Sequence, residues 1–269
     1  MDPLARLNEA IDFRHSGDCA QAIGDGANPN ALCFCLQANG EVPALGRAWI
    51  EHMRRPQPND HLLFQALIKG GAKVSDRHAR ALFKEACAEG QLETVRCLFE
   101  HGFELHGDLA PAFTLQLPVL AYLVQAQHLD INQQLDRRGT PLHHAVKMQQ
   151  ADVVAYLLDN KANIEGSDYE GNTPLLTACE YQCHDLIGYL LERGANPLVA
   201  NFNGNTVLHL VNDAHATHLL IEHGADPNAI NDCGFAPIDC DRPQTVAALQ
   251  AWKLQLATPE LPTHSSRRL

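Results

Sequence analysis

Thr140-Pro141-Leu142-His143 is answered 33 residues later by Thr173-Pro174-Leu175-Leu176 and, after another 33, by Thr206-Val207-Leu208-His209. Ala236-Pro237-Ile238-Asp239 follows 30 residues further on. Behind the first three phrases a Tyr or His leads a pair of aliphatics: Tyr156-Leu157-Leu158, Tyr189-Leu190-Leu191 and His218-Leu219-Leu220. Each unit then closes in a turn: Lys161-Ala162-Asn163, Gly194-Ala195-Asn196, Gly224-Ala225-Asp226. A unit of this size cannot bury its own apolar face, so copies must stack on one another.

The chemistry of the phrase predicts a helix start. The Thr hydroxyl can cap free backbone N–H groups, and Pro sits at the first helical position, where no donor is needed. Val153, Val154, Leu157 and Leu158 recur at helical spacing and form one buried stripe. Gly194 and Gly224 suit the left-handed turn after a helix, whereas Lys161 takes that place at some conformational cost.

Upstream, residues 76–106 form a further unit without the phrase. Phe83 to Gly90 reads as its first helix and Leu92 to Gly102 as its second. Residues 107–132 are too few for a full unit, and a missing or stunted hairpin is expected there. Leu4 to His15 and Asp18 to Ile23 read as a capping helix pair. Residues 31–69 hold more chain than one repeat needs; two or three helices with a loop at 55–60 would account for it. Thr245 to Leu254 reads as a capping helix. The organisation expected is therefore degenerate capping repeats with extra helices over 1–75, repeats over 76–132 with the second shortened, three clear repeats over 133–228, a capping repeat over 229–254 and a disordered tail over 255–269.

A period near 33 carrying this phrase is the ankyrin signature, and the chain resembles the ankyrin-repeat family over residues 76–106 and 133–240, more loosely over 1–75 and 107–132. The resemblance implies an all-α solenoid of seven to eight helix-pair units with short β-hairpin fingers. It also implies the usual work of the family, which is binding another protein in the groove formed by fingers and first helices.

Bulk properties narrow the classes. The 269 residues carry a net charge of −12, which disfavours nucleic acid as a partner because phosphate binding needs a basic surface. No run of about 18 apolar residues predicts a membrane span, and the N-terminus lacks the basic and apolar segments of a secretory signal. Nine scattered cysteines fit buried free thiols in a reducing compartment. Cytoplasmic residence is expected, with export by another route left open, and so is a monomer.

In this architecture the phrase residues are scaffold, and His143 and His209 are expected to hydrogen-bond between neighbouring repeats. Specificity falls to positions that no packing rule fixes. These candidate partner-binding residues are Arg77, His78, Arg80, Arg137, Arg138, Lys147, Met148, Tyr169, Glu170, Asn172, Tyr181, Phe202, Asn203, Asn205 and Phe235. Among them, Arg77, His78, Arg80, Arg137, Arg138 and Lys147 form a basic set in an acidic chain, which would steer a partner with an acidic segment. Tyr169, Tyr181, Phe202 and Phe235 form an aromatic set suited to anchoring an interface.

No cofactor or metal is expected. Cys33-Phe34-Cys35 has too short a spacing for zinc, and in Cys179-Glu180-Tyr181-Gln182-Cys183-His184 the first thiol should face inward. No Gly-rich phosphate loop or nucleophile elbow is present. The expected activity is therefore non-enzymatic binding of a protein or peptide. One alternative is an effector or inhibitor that occludes a partner's site. Another, of a different class, is a cryptic enzyme using a Cys–His pair in the irregular N-terminal part, which would require a concave pocket with thiol and imidazole in reach.

Overall fold

The computed structural model describes residues 2–30, 33–35, 40–42, 44–46, 48, 52, 57, 59–74, 77–104, 116–135 and 139–257. The chain divides into two compact units, residues 1–129 and 130–269.

The first unit opens with two packed helices, Pro3–Phe13 and Ser16–Gly24. Arg14 ends the first in the left-handed conformation. Its amide satisfies carbonyls at Ala10 and Ile11, as expected of a helix terminus. Two short strands follow, Cys33–Cys35 and Gly40–Val42, paired antiparallel with Phe34 opposite Glu41. These strands correct the expectation that 31–69 is helical apart from its loop; the pair is too short for an alternating pattern to show.

Four described helices complete the unit: Asp60–Lys69, Arg77–Ala88, Leu92–Glu100 and Leu117–Ala126. Phe83, Phe99, Phe103 and Tyr122 interlock between the last three, with ring centroids 5.0–6.2 Å apart. Of the segment 107–132, in which a missing or stunted hairpin is expected, residues 107–115 lie outside the described residues.

The second unit repeats one plan. Pro141–Lys147 pairs with Ala151–Asp159, Pro174–Glu180 with His184–Glu192, and Val207–Leu210 with Ala214–Glu222. A 3₁₀ turn at Pro237–Asp239 and the helix Pro243–Ala257 close it, the latter extending beyond the sequence-predicted 245–254. The tail beyond residue 257 lies outside the described residues. Leu142, Val154, Leu157, Leu175, Leu176, Ile187, Leu190, Leu208 and Leu220 are sealed in its interior. At ~25 cal/mol per Å², burial of each such side chain contributes roughly 1.5–3 kcal/mol.

The Thr-Pro phrase does what its chemistry dictates. Thr140 and Thr206 are extended N-cap residues in capping boxes with His143 and His209. Nδ1 of His143 accepts from both the Thr140 amide (3.1 Å) and the Thr140 hydroxyl (2.8 Å). That fixes the proton on Nε2, which donates to the Asn172 carbonyl of the next repeat at 2.8 Å. His209 makes the same bridge to the Phe235 carbonyl at 3.0 Å. These histidines are therefore rivets between repeats.

Candidate functional site

Between successive helix pairs of the second unit the chain projects as tight fingers at 168–172, 201–205 and 231–235. Each is shaped by a carboxylate or amide accepting backbone N–H groups two and four residues ahead. Asp168 accepts from Glu170 and Asn172, Asn201 from Asn203 and Asn205, and Asn231 from Cys233 and Phe235, all at 2.8–3.1 Å. Such short polar side chains mimic a backbone turn. The tips close at Gly171, Gly204 and Gly234, whose φ values of +73° to +83° favour glycine. The fingers are turns, and no strand is assigned to them among the described residues.

Neighbouring fingers are laced edge to edge. The Phe202 amide donates to the Glu170 carbonyl (2.9 Å), and the Asp232 amide to the Asn203 carbonyl (3.1 Å). Asn201 donates its side-chain amide to Asn172 at 2.9 Å, and Asn231 does the same to Asn205 at 2.8 Å. Asn172, which is buried, and Asn205 are thus struts of this lacing.

Three aromatic rings stand off the fingers into solvent: Tyr169 is 63 % exposed, Phe202 72 % and Phe235 51 %. Phe202 also lies across Gly171, where an added Cβ would meet the ring at 2.6 Å. Behind the fingers, the first helices of two repeats enclose a cleft of about 410 Å³. Lys147, Met148, Glu170, Asn172 and Tyr181 line it, together with His143, His144, Asp168, Thr177 and Glu180. His144, Asp168 and Thr177 were missed by sequence reasoning. Helical spacing carried the signal for two of them, because Thr177 lies one turn before Tyr181 and His144 one turn before Lys147.

The charge in the cleft is not the basic one expected. Lys147 is committed: its ammonium donates to the Tyr181 hydroxyl at 2.6 Å and sits 4.2 Å from the ring centroid. Asp168, Glu170 and Glu180 supply three carboxylates. Burial pushes the Glu180 carboxyl above its ordinary range, and Glu170 and Asp168 push it further, while Lys147 and Arg242 pull it back in part.

The other members of the basic set are elsewhere. Arg77 and Arg80 belong to the first unit, and the segment read as a fingertip is there the first turn of the Arg77–Ala88 helix. His78 is buried, with its ring against Gly46, which removes it from any contact surface. Arg137 and Arg138 lie outside the described residues.

The first unit holds a different polar constellation. Buried Asp60 receives Arg14 (2.5 Å), His52 Nδ1 (2.7 Å) and the Gln57 amide (3.0 Å) through one oxygen. The Nε2 of His52 reaches Glu85 at 2.5 Å. Burial lowers the His52 pKa, but hydrogen bonds to Glu85 and Asp60 outweigh it and the net shift is upward. These residues border a cleft of about 290 Å³ whose described lining contains no cysteine.

Cys97 and His101 do approach, with Sγ 3.9 Å from Nδ1, but that nitrogen donates to the Cys97 carbonyl at 2.8 Å. Burial raises the Cys97 thiol, as it raises Cys19 and Cys87 to about 12. Burial of this kind disfavours the thiolate, the nucleophilic form of cysteine.

Comparison with known proteins agrees with the repeat geometry. A model of ankyrin repeats in three copies matches residues 110–201, and a single ankyrin repeat matches 203–232. Residues 110–201 and 203–232 are ankyrin repeats. Among solved structures, the crystal structure of the human ASB11 ankyrin repeat domain aligns with 94 % of this chain and 98 % of that one, at 24 % identity and a TM-score of 0.45. No curated protein matches the sequence. Ankyrin repeats are in general protein–protein interaction modules, and the paired helices of the second unit follow their plan.

Proposed function

We propose that this ankyrin-repeat protein is a non-enzymatic, monomeric cytosolic module that captures a partner through the fingers and cleft of residues 130–269, holding an extended peptide segment of it. The single observation that carries this is the row of solvent-facing aromatics, Tyr169, Phe202 and Phe235, of which Tyr169 stands between the cleft residues Asp168 and Glu170 and Phe202 is bonded through its amide to Glu170. A ring left in water has a large apolar area to gain by docking and few rotamers to lose, which is why aromatic residues dominate interface energetics. The laced fingers beneath hold the rings in place before binding, which lowers the ordering cost. An acidic segment is not part of this proposal, because Lys147 is already tied to Tyr181 and three carboxylates line the cleft.

The test is selection of random peptides on the folded chain, followed by affinity measurement against a variant carrying Tyr169→Ala, Tyr181→Ala and Phe202→Ala. Loss of at least about tenfold in affinity is expected, given roughly 1–2 kcal/mol per truncated anchor. Circular dichroism confirms that the variant is folded. Undiminished affinity in a folded variant would overturn the proposal.

A further inference from the structure

We infer that the cleft of the second unit receives an arginine side chain of the bound segment, with its guanidinium between Glu170 and Glu180 and within reach of the Thr177 hydroxyl. This rests on the proposal that the unit binds a peptide. It adds the chemistry of the residue that enters.

Four observations converge. Neither Glu170 nor Glu180 forms an ion pair among the described residues, although both line the cleft. The ammonium of Lys147, the lysine of that lining, is held by the Tyr181 ring and hydroxyl, and Arg242, which also acts on Glu180, stands outside the lining. Thr177 is only 5 % exposed and lines the same cleft, yet its hydroxyl makes no hydrogen bond among the described residues. Asp168 cannot turn away to relieve the crowding, since its carboxylate is pinned by the Glu170 and Asn172 amides at 2.8 Å. The result is a polar recess holding excess negative charge and one unused hydroxyl, with a volume in the range of sites that enclose a side chain.

The guanidinium matches this set better than other cations. Its planar fork presents five N–H donors, enough to pair one carboxylate in bidentate fashion and still reach a second acceptor and a hydroxyl. A lysine ammonium is a strongly hydrated point charge without that fork. An aspartate or glutamate would add to the repulsion that already raises Glu180. Neighbouring Tyr169 and Phe202 would then cover the apolar stem of the arginine and the residues beside it, so the charged and aromatic parts of the surface serve one ligand.

The experiment is an NMR titration of the full chain with acetylated, amidated Gly-Gly-Arg-Gly-Gly. Its citrulline twin, which has the same shape without the charge, and its lysine twin serve as comparisons. The arginine peptide is expected to shift the Glu170, Thr177 and Glu180 resonances and to bind at least about tenfold more tightly than either twin. The variant Glu170→Gln/Glu180→Gln should lose that preference while keeping its fold. Equal binding of the citrulline or lysine peptide, an unchanged preference in the variant, or shifts confined to other surfaces would each overturn the inference. If randomly selected peptides still depend on the aromatics while arginine shows no preference, the binding proposal survives and the arginine assignment falls. If the aromatic variant captures peptides as well as wild type, the underlying proposal falls instead.

Discussion

Replacing His143 with Leu removes one rivet between repeats, and the chain contains its own reference for the outcome. In the next repeat Leu176 occupies the equivalent position and is fully buried. There Thr173 caps the helix alone, its hydroxyl accepting from the Leu176 amide at 3.4 Å. The variant can therefore fall back on a cap that the fold already uses. What it cannot replace is the acceptor for the buried Thr140 amide and the bridge to Asn172. An orphaned buried N–H costs roughly 1–3 kcal/mol and a lost hydrogen bond about 1 kcal/mol. The Asn172 carbonyl keeps its bond from the Asp168 amide, and the added Leu carbons return part of the loss. The net expectation is destabilisation of about 2 kcal/mol, or roughly 4–8 °C in Tm.

The effect must also depend on pH. Burial holds the folded-state pKa of His143 below its ordinary 6.5. The unfolded chain therefore takes up the proton first as acid is added. The stability that neutral His143 provides is complete above pH 6.5 and declines as pH falls below it. Urea unfolding followed by circular dichroism should show the difference between wild type and His143→Leu shrinking between neutral pH and pH 5. A difference below about 0.5 kcal/mol at neutral pH, the limit typical of innocuous surface changes, would refute the rivet argument. So would a difference that grows in acid.

The first unit should respond to pH in the opposite sense. The folded pKa of His52 is raised by Glu85 and Asp60, with Arg14 beside it and His61 and Glu89 bordering the same cleft, so its contribution is complete below pH 6.5 and fades as pH rises through the folded value. Asp60→Asn should weaken this trend, leaving the larger part that Glu85 supplies, and cost about 3 kcal/mol, as expected when one partner of a buried charge set is removed; hydrogen exchange of the Asp60–Lys69 helix reports it, and an unchanged pH profile would count against the network. Lys161 sits at φ +69°, where the equivalent residues Gly194 and Gly224 pay no steric penalty. Lys161→Gly should raise stability by about 0.5–1 kcal/mol, measured by urea unfolding, and a loss would contradict the backbone argument. Among the described thiols, exposed Cys233 should alkylate first under native conditions, ahead of buried Cys19, Cys87, Cys97, Cys179 and Cys183. Peptide mapping after a brief iodoacetamide pulse checks this, and early labelling of Cys179 or Cys183 would contradict their burial.

The scaffold was legible because its residues repeat. Thr140 and His143 declare a helix start by chemistry, and their return at Thr206 and His209 declares the stack. Tyr169 and Phe202 were legible as solvent-facing because each follows the Asp168 or Asn201 that shapes its turn. The cleft's charge was not, because Asp168, Glu170 and Glu180 come together only when a finger folds over the helix behind it. A list of basic positions carries no information on which of them Tyr181 has already engaged. His78 misled because Asp76-Arg77 has the same spelling as Asp136-Arg137, which reads as a fingertip in the sequence, whereas the helix of the first unit begins at Arg77. The asparagine lacing was written in the recurrence of Asn172, Asn201, Asn205 and Asn231, but recurrence alone does not separate a strut from a contact.

The central claim is that partners dock on the fingers and cleft of residues 130–269 and not on the outer helices. Chemical-shift mapping of a selected peptide on the full chain tests this most directly. The account predicts perturbations at Tyr169, Thr177, Tyr181 and Phe202. Perturbations centred instead on Tyr156 and Tyr189, in the second helices of their repeats, would contradict it.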